Sequence, residues 1–192
     1  RFAVVVGIIE GAVGNARLLW NPDEKKEWAL FGGTSQGFRA PNLSDVSRFD
    51  IARSGELETA AFDLEPEKFL TLETGVKVVK RNWDASAAYY YTFIDDLIVR
   101  TPTGNTIGGV AEVTKRNASE GWVQGVELAG NVYLGEGFSL FGSVALQEGE
   151  AAAFPTSAAA VRAPMSRMHP LTGISGLRWT YLNARWPIFV EV

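Results

Sequence analysis

The stretch "KFLTLETGVKVVKRNWDASAAYYYTFIDDLIV" (residues 68–99) holds two runs of strict alternation with a break between them. In the first, Leu70, Leu72, Val76 and Val78 fall on one face, and Thr71, Glu73, Gly75 and Lys77 on the other. In the second, Trp83, Ala85, Ala87, Tyr89, Tyr91 and Phe93 alternate with Asp84, Ser86, Ala88, Tyr90 and Thr92. Successive strand side chains point to opposite faces, so each run predicts a strand with one apolar and one polar side. "KRNW" (80–83) predicts a short reversal between them.

The same period recurs in residues 121–135 and 137–147, and more weakly in 173–182. No comparable segment keeps a helical period. The predicted strands run ~10–15 residues, against about 5–6 in ordinary globular sheets. A tilted strand crossing a bilayer needs about 9–11.

The connections alternate in length. Residues 21–27, 80–83, 135–137 and 183–185 read as short turns; residues 40–64, 100–120 and 148–170 read as long loops. Strict alternation of short and long connections is the pattern of a transmembrane barrel, with every long loop on one rim. Aromatics gather near the predicted strand ends: Trp28, Phe38, Phe69, Trp83, residues 89–93, Trp122, Phe138, Trp179 and Tyr181. Rings with a polar edge settle at membrane–water boundaries. Of the eight prolines, only Pro187 is expected to intrude into a strand. The fold expected is all-β: an antiparallel transmembrane β-barrel fragment of about eight long strands.

Composition narrows the function. The 192 residues carry a net charge of −4 and no dense basic patch, which argues against nucleic acid as partner. With no Cys there is no disulfide framework or thiol nucleophile. At 46% hydrophobic the chain is too apolar to be disordered. No apolar run is long enough for a membrane helix, and no secretory signal is recognisable. The chain opens on Arg1 and stops at Val192 in what reads as mid-strand, so an internal piece of a longer protein is expected.

Five segments carry a family resemblance: "GFRAPNL" (37–43), "LEPEKFLTLETGVK" (64–77), "YYYTFIDDLIVRT" (89–101), "VQGVELAGNVYLGEGFSLFGSVAL" (123–146) and "RMHPLTGISGLRW" (167–179). In this order and spacing the chain resembles the TonB-dependent outer-membrane receptors of Gram-negative bacteria. The resemblance implies a barrel of about 22 strands plugged by a separate domain. Residues 1–192 would then be part of that barrel domain, with the plug domain absent from the chain. It further implies nutrient uptake (an iron–siderophore chelate, haem, cobalamin or similar) energised by the TonB–ExbB–ExbD system through the missing plug. The other partners implied are the lipid bilayer, lipopolysaccharide and a small-molecule ligand at the extracellular loops. No enzymatic activity, cofactor or metal is expected.

The family motif at the loop base falls on Gly37, Phe38, Arg39, Ala40, Pro41, Asn42, Leu43, Glu65, Pro66 and Glu67. A guanidinium such as Arg39 can bind a ligand anion, a lipopolysaccharide phosphate or a neighbouring loop carboxylate; the last is the simpler role. Glu65 and Glu67 are expected to help close the loop. Candidate ligand-contacting loop residues are Arg48, Asp50, Arg53, Arg100, Lys115, Arg116 and His169. Asp95 and Asp96 are expected to be a polar pair at a strand end, pointing to opposite faces. Acids outnumber bases in residues 40–67, which disfavours a strongly anionic chelate there. Glu73, Lys77, Asp84, Glu127 and Gln147 are expected to line the lumen. A passive porin or adhesive barrel would use similar wall residues and stays open, as does a soluble all-β binding module or carbohydrate-active enzyme.

Overall fold

The computed structural model describes residues 2–9, 13–52, 54–156, 159–166, 168–169, 171–181 and 188–192. Its strands are β1 (Phe2–Ile9), β2 (Val13–Trp20), β3 (Trp28–Arg39), β4 (Asp50–Ile51), β5 (Leu57–Thr59), β6 (Glu67–Val79), β7 (Trp83–Ile107), β8 (Val110–Gly135), β9 (Phe138–Thr156), β10 (Ala159–Pro164), β11 (Thr172–Tyr181) and β12 (Ile188–Glu191). One short helix, α1 (Leu43–Ser47), lies between β3 and β4.

Nine of these strands form one antiparallel wall in the order β1-β2-β3-β6-β7-β8-β9-β11-β12. Cross-strand register turns the alternation of each strand into two continuous surfaces. One row runs Leu30, Val76, Ala87, Leu128, Val144 and Gly173. The adjacent row runs Phe31, Gly75, Ala88, Glu127, Ala145 and Thr172. A shift of one residue in any strand would mix the two sets, so the apolar pattern itself fixes the register.

No second layer covers the apolar surface. Among the described residues the buried apolar side chains are only Ala52, Val78, Ile94 and Val113. Leu18, Leu30, Leu72, Leu128, Leu140 and Leu146 all stay exposed on the outward side. In a two-layer sandwich these inward rows would form the core. A large exposed apolar surface on a sheet of this regularity is a lipid-facing surface.

Aromatic belts bound it. Phe138, Trp179 and Tyr181 stack at one end, with centroids 6.2 and 6.0 Å apart. Tyr91 contacts Phe93 and Trp122 at the other, at 4.7 and 5.8 Å. On β7, Trp83 and Phe93 are ten residues apart. A rise of about 3.3 Å per residue places them ~33 Å apart along the strand. A tilt of about 40° brings that to ~25 Å, the height of an outer-membrane apolar band.

The short turns at residues 21–27, 80–82 and 136–137 share one rim, and the long connections share the other. The long connections are not loops throughout. Residues 100–120 continue β7 and β8 as a projecting hairpin, closed by Gly108 and Gly109 at φ 59° and 82°. Two consecutive left-handed residues make the tight turn whose twist matches the strands, and glycine alone adopts it freely. In residues 148–170, β9 continues to Thr156 and β10 returns along it.

Pro102 accordingly lies inside β7, where β6 has ended and the free edge needs no donor. Asp95 and Asp96 likewise sit within a continuous β7, not at its end. They form a bulge with Asp96 at φ 56°. The β1–β2 hairpin is an addition to the predicted set of connections. The expected turn at 183–185 and Pro187 lie outside the described residues.

Candidate functional site

The rim where β3 ends and β6 begins is built around Arg39. Its cross-strand partner is Glu67. The guanidinium forks onto that carboxylate, with Nε donating to Oε2 at 2.5 Å and Nη2 to Oε1 at 2.8 Å. Glu67 is only 3% exposed and also accepts from the Ile98 backbone N–H at 3.0 Å. The third guanidinium contact runs from Nη1 to Asp45 at 2.8 Å.

Asp45 belongs to α1, a helix not expected from the sequence. The spacing Asn42-x-x-Asp45 is its signal. The Asn42 side chain accepts from the Asp45 N–H at 2.9 Å, and the Asp45 carboxylate accepts from the Asn42 N–H at 3.1 Å. This reciprocal pair satisfies two of the helix's orphan donors. Lys115, on the projecting hairpin, reaches the other Asp45 oxygen at 2.8 Å. Burial pushes the Asp45 carboxyl up, but hydrogen bonds from Lys115, the Asn42 backbone and Arg39 outweigh it and hold the pKa down to about 2.

The rest of the connection is strapped to the same hairpin. β5 adds in parallel to β8, pairing Leu57 with Glu112 and Thr59 with Thr114. This occupies the β8 edge above Gly121, where pairing with β9 stops. Asn117 clamps the return segment: it donates to the carbonyls of Glu65 at 2.8 Å and Asp96 at 2.6 Å, and accepts from the Glu65 N–H at 2.7 Å. Arg100 pairs with Glu56, and Arg48 with Asp50 at 2.9 Å. Glu58, 2% exposed, lies 3.6 Å from Lys115 and 3.7 Å from Arg48.

The inner wall differs electrostatically. Asp84 accepts from Asn131 at 2.8 Å, and Tyr90 donates to Gln147 at 3.2 Å. Lys77 lies over the Phe31 ring at 5.6 Å. For Arg17, Glu73, Lys77 and Glu127, no ion pair is seen among the described residues; all four line a concavity of about 650 Å³. A charge-paired rim thus surmounts a wall on which Arg178 pairs with Glu191 at 2.7 Å while these four charges have no ion pair among the described residues.

Residues 10–191 match the family described as TonB dependent receptor-like, beta-barrel. The chain belongs to the TonB-dependent receptor family. Its barrels are outer-membrane proteins, and the family's members are receptors and transporters rather than enzymes. No helix among the described residues is long and apolar enough to cross a membrane, so any crossing would be by strands.

Solved structures share the fold. The copper transporter OprC is 20% identical with a TM-score of 0.65, covering 87% of this chain and 24% of its own. The Serratia marcescens hemophore receptor HasR, solved as a double mutant with its hemophore HasA and heme, is 14% identical at 0.65, covering 93% and 31%. The siderophore receptor PirA from Pseudomonas aeruginosa is 18% identical at 0.60, covering 88% and 36%. The chain therefore spans roughly a quarter to a third of these receptors. No curated relative matches.

In this TonB-dependent receptor chain, the motif residues Gly37–Leu43 and Glu65–Glu67 come together at the loop base. Arg39 there anchors Glu67 and Asp45. Glu65 is exposed and held through its backbone rather than its carboxylate. Of the seven candidate ligand contacts, Arg48, Asp50, Arg100 and Lys115 are held in ion pairs within the receptor's own rim. Arg116 is exposed beside a concavity of about 610 Å³ that Phe62, Asp63 and Glu65 also line. His169 faces the inner wall beside Tyr90 and Glu127. Arg53 lies outside the described residues. The surplus of acids in residues 40–67 is largely offset by Arg39, Arg100 and Lys115 from outside that loop's interior, a balance that a count along the chain does not reveal.

Proposed function

We propose that this chain is part of the barrel wall of an outer-membrane importer that takes up a scarce nutrient with energy supplied by TonB–ExbB–ExbD. Residues 1–192 form one piece of the barrel domain, and the plug domain that couples to TonB belongs to the rest of the protein. The observation carrying this is the division of one sheet into a lipid-facing side and an inner side whose charges Arg17, Glu73, Lys77 and Glu127 have no ion-pair partner among the described residues. Unneutralised charges on an inner wall await a polar occupant. A plug supplies one, and the water of an open channel would supply another; the preference for a plugged importer over a porin therefore rests on the family match over residues 10–191.

The cargo class is a metal or metal chelate, of the siderophore, haem or cobalamin kind. Similar folds are named as a copper transporter, an iron transporter, a siderophore receptor and a hemophore receptor. Capture takes place at the long-loop rim, which also faces lipopolysaccharide. Exposed Arg116 and His169 on the inner side are the ligand-contacting candidates left free by the rim's ion pairs.

Uptake of radiolabelled iron chelates, haem and cobalamin by cells with and without the full-length gene tests this. Accumulation that requires both the gene and a functional TonB is expected. Entry of small solutes in proportion to size, unaffected by loss of TonB, would instead identify a passive porin.

A further inference from the structure

The turns at residues 21–27 and 80–82 sit side by side on the short-turn rim, because β3 and β6 are neighbours and the Val79 N–H donates to the Glu27 carbonyl at 2.8 Å. Short turns face the periplasm, so this rim meets the inner leaflet of the outer membrane. The two turns carry Lys25, Lys26, Lys80 and Arg81 against Asp23, Glu24 and Glu27. Two of the acids are committed. Asp23 accepts from the Glu27 and Trp28 N–H groups at 2.8 and 3.0 Å, and Glu27 pairs with Lys80. Lys25, Lys26 and Arg81 are exposed and have no ion pair among the described residues, with only Glu24 left to oppose them.

Directly above these turns, on the lipid side, the wall is hollow. One outward row reads Trp28, Val78, Ala85, Gly130, Gly142 and Ser175. The row nearer the turns holds Trp83, Val132, Leu140 and Leu177, and the row farther from them holds Val76, Leu128 and Val144. Small side chains between two bulkier rows leave a trough, an apolar concavity of about 500 Å³ along Val78, Ala85, Gly130 and Gly142. Trp28, 42% exposed, stands at the β3 end of this row, where its ring suits the headgroup boundary.

We propose that Lys25, Lys26 and Arg81 hold the phosphate of an anionic glycerophospholipid whose acyl chain lies in this trough. The cations alone would accept any anion, and the trough alone any hydrocarbon; a lipid joins the two. Arg81 is three residues from Val78, ~10 Å along the strand, and one leaflet is about 20 Å deep, so a single lipid spans both. A guanidinium forks onto phosphate oxygens, and lysine stems reach along apolar surface to place their ammonium groups among headgroups. The proposal goes beyond the import reading and is independent of what the barrel takes up.

The test is native mass spectrometry of the full receptor in detergent, titrated with dioleoyl phosphatidylglycerol or dioleoyl phosphatidylcholine. Each cation beside an anionic headgroup is worth about fivefold in affinity. The triple variant Lys25→Gln, Lys26→Gln, Arg81→Gln should therefore lose about a hundredfold for phosphatidylglycerol and little for phosphatidylcholine. Ala85→Leu fills the trough and should weaken both lipids. Heat-dependent gel mobility verifies that each variant is folded. Equal phosphatidylglycerol affinity in wild type and the folded triple variant overturns the proposal, as does a triple variant that loses both lipids alike. Unchanged affinities in Ala85→Leu also overturn it, by removing the acyl chain from the trough. Dimers that exclude lipid and fall apart in Ala85→Leu would assign the trough to a second copy of the receptor, and overturn it too.

Discussion

Arg39 and Glu67 are direct partners across the β3–β6 ladder, and their side chains close a two-pronged ion pair at the point where the long loop leaves and re-enters the wall. The sequence separates them by 28 residues; the register puts them side by side. Arg39→Ala leaves Glu67 buried with one remaining donor, from Ile98. A loss of about 1–3 kcal/mol is expected, measured as a lower denaturant midpoint of the full receptor in detergent. Arg39→Lys should recover part of it, because an ammonium keeps the charge but not the fork. Equal midpoints for all three proteins would remove the anchoring role.

Asp45 gives the rim a defined acid response. Its folded pKa lies below the ordinary carboxylate value of 3.8, at about 2, so the stabilisation is fully present above about pH 4. It declines as pH falls from there through 2. Protease susceptibility of residues 43–66 should stay constant from pH 7 to 4 and rise below that. In Asp45→Asn the rise should be smaller but not absent, because Glu67 still loses its pairing with Arg39 as it protonates, with a higher plateau throughout.

Asn117 holds the return segment by three hydrogen bonds to the backbones of Glu65 and Asp96. Asn117→Ala orphans these groups. Faster amide hydrogen exchange is expected in residues 60–66, with the membrane rows of β6 and β7 unchanged. Unaltered exchange in that segment would show that β5 and the ion pairs suffice.

The two faces of β8 predict opposite tolerance. Leu128 points outward near the middle of the apolar band, and Ala129 points inward. Leu128→Arg should destabilise the folded receptor in lipid vesicles by about 2–4 kcal/mol. Ala129→Arg should cost far less. Similar costs at both positions would contradict the assignment of a lipid side.

Gly75 is a fifth probe. Phe31 lies across it, and a Cβ there would meet the ring and, at 2.5 Å, the Ala87 carbonyl. Gly75→Val forces the ring off the wall and displaces it from Lys77. A cost of about 1–3 kcal/mol is expected from overpacking. A double change, Gly75→Val with Phe31→Ala, should relieve the ring clash but not the backbone one, recovering only part of the loss.

The transmembrane part of the fold was legible because membranes impose a simple rule. Leu70, Leu72, Val76 and Val78 alternate with Thr71, Glu73 and Lys77 since one side meets hydrocarbon and the other does not. No packing partner complicates the pattern. The belts at Trp83, Trp122 and Trp179 were visible for the same reason. The rim was less legible. Residues 100–120 are rich in Thr and Gly and lack an apolar alternation, because a hairpin projecting into water has no lipid side to mark it. α1 left one short signal, Asn42-x-x-Asp45, in a five-residue helix too brief to show a period.

By itself the sequence determined that this is a sheet with two unlike faces and where the short turns at residues 21–27, 80–83 and 135–137 fall, because burial in lipid is read residue by residue from local alternation. Only the tertiary structure decided which charges are spent on the fold and which remain. Arg39, Arg100 and Lys115 find their carboxylates 28, 44 and 70 residues away, while Arg17, Glu73, Lys77 and Glu127 on the inner wall find none among the described residues. Coulomb energy depends on distance in space, and distance in space follows from strand register and loop closure rather than from position along the chain.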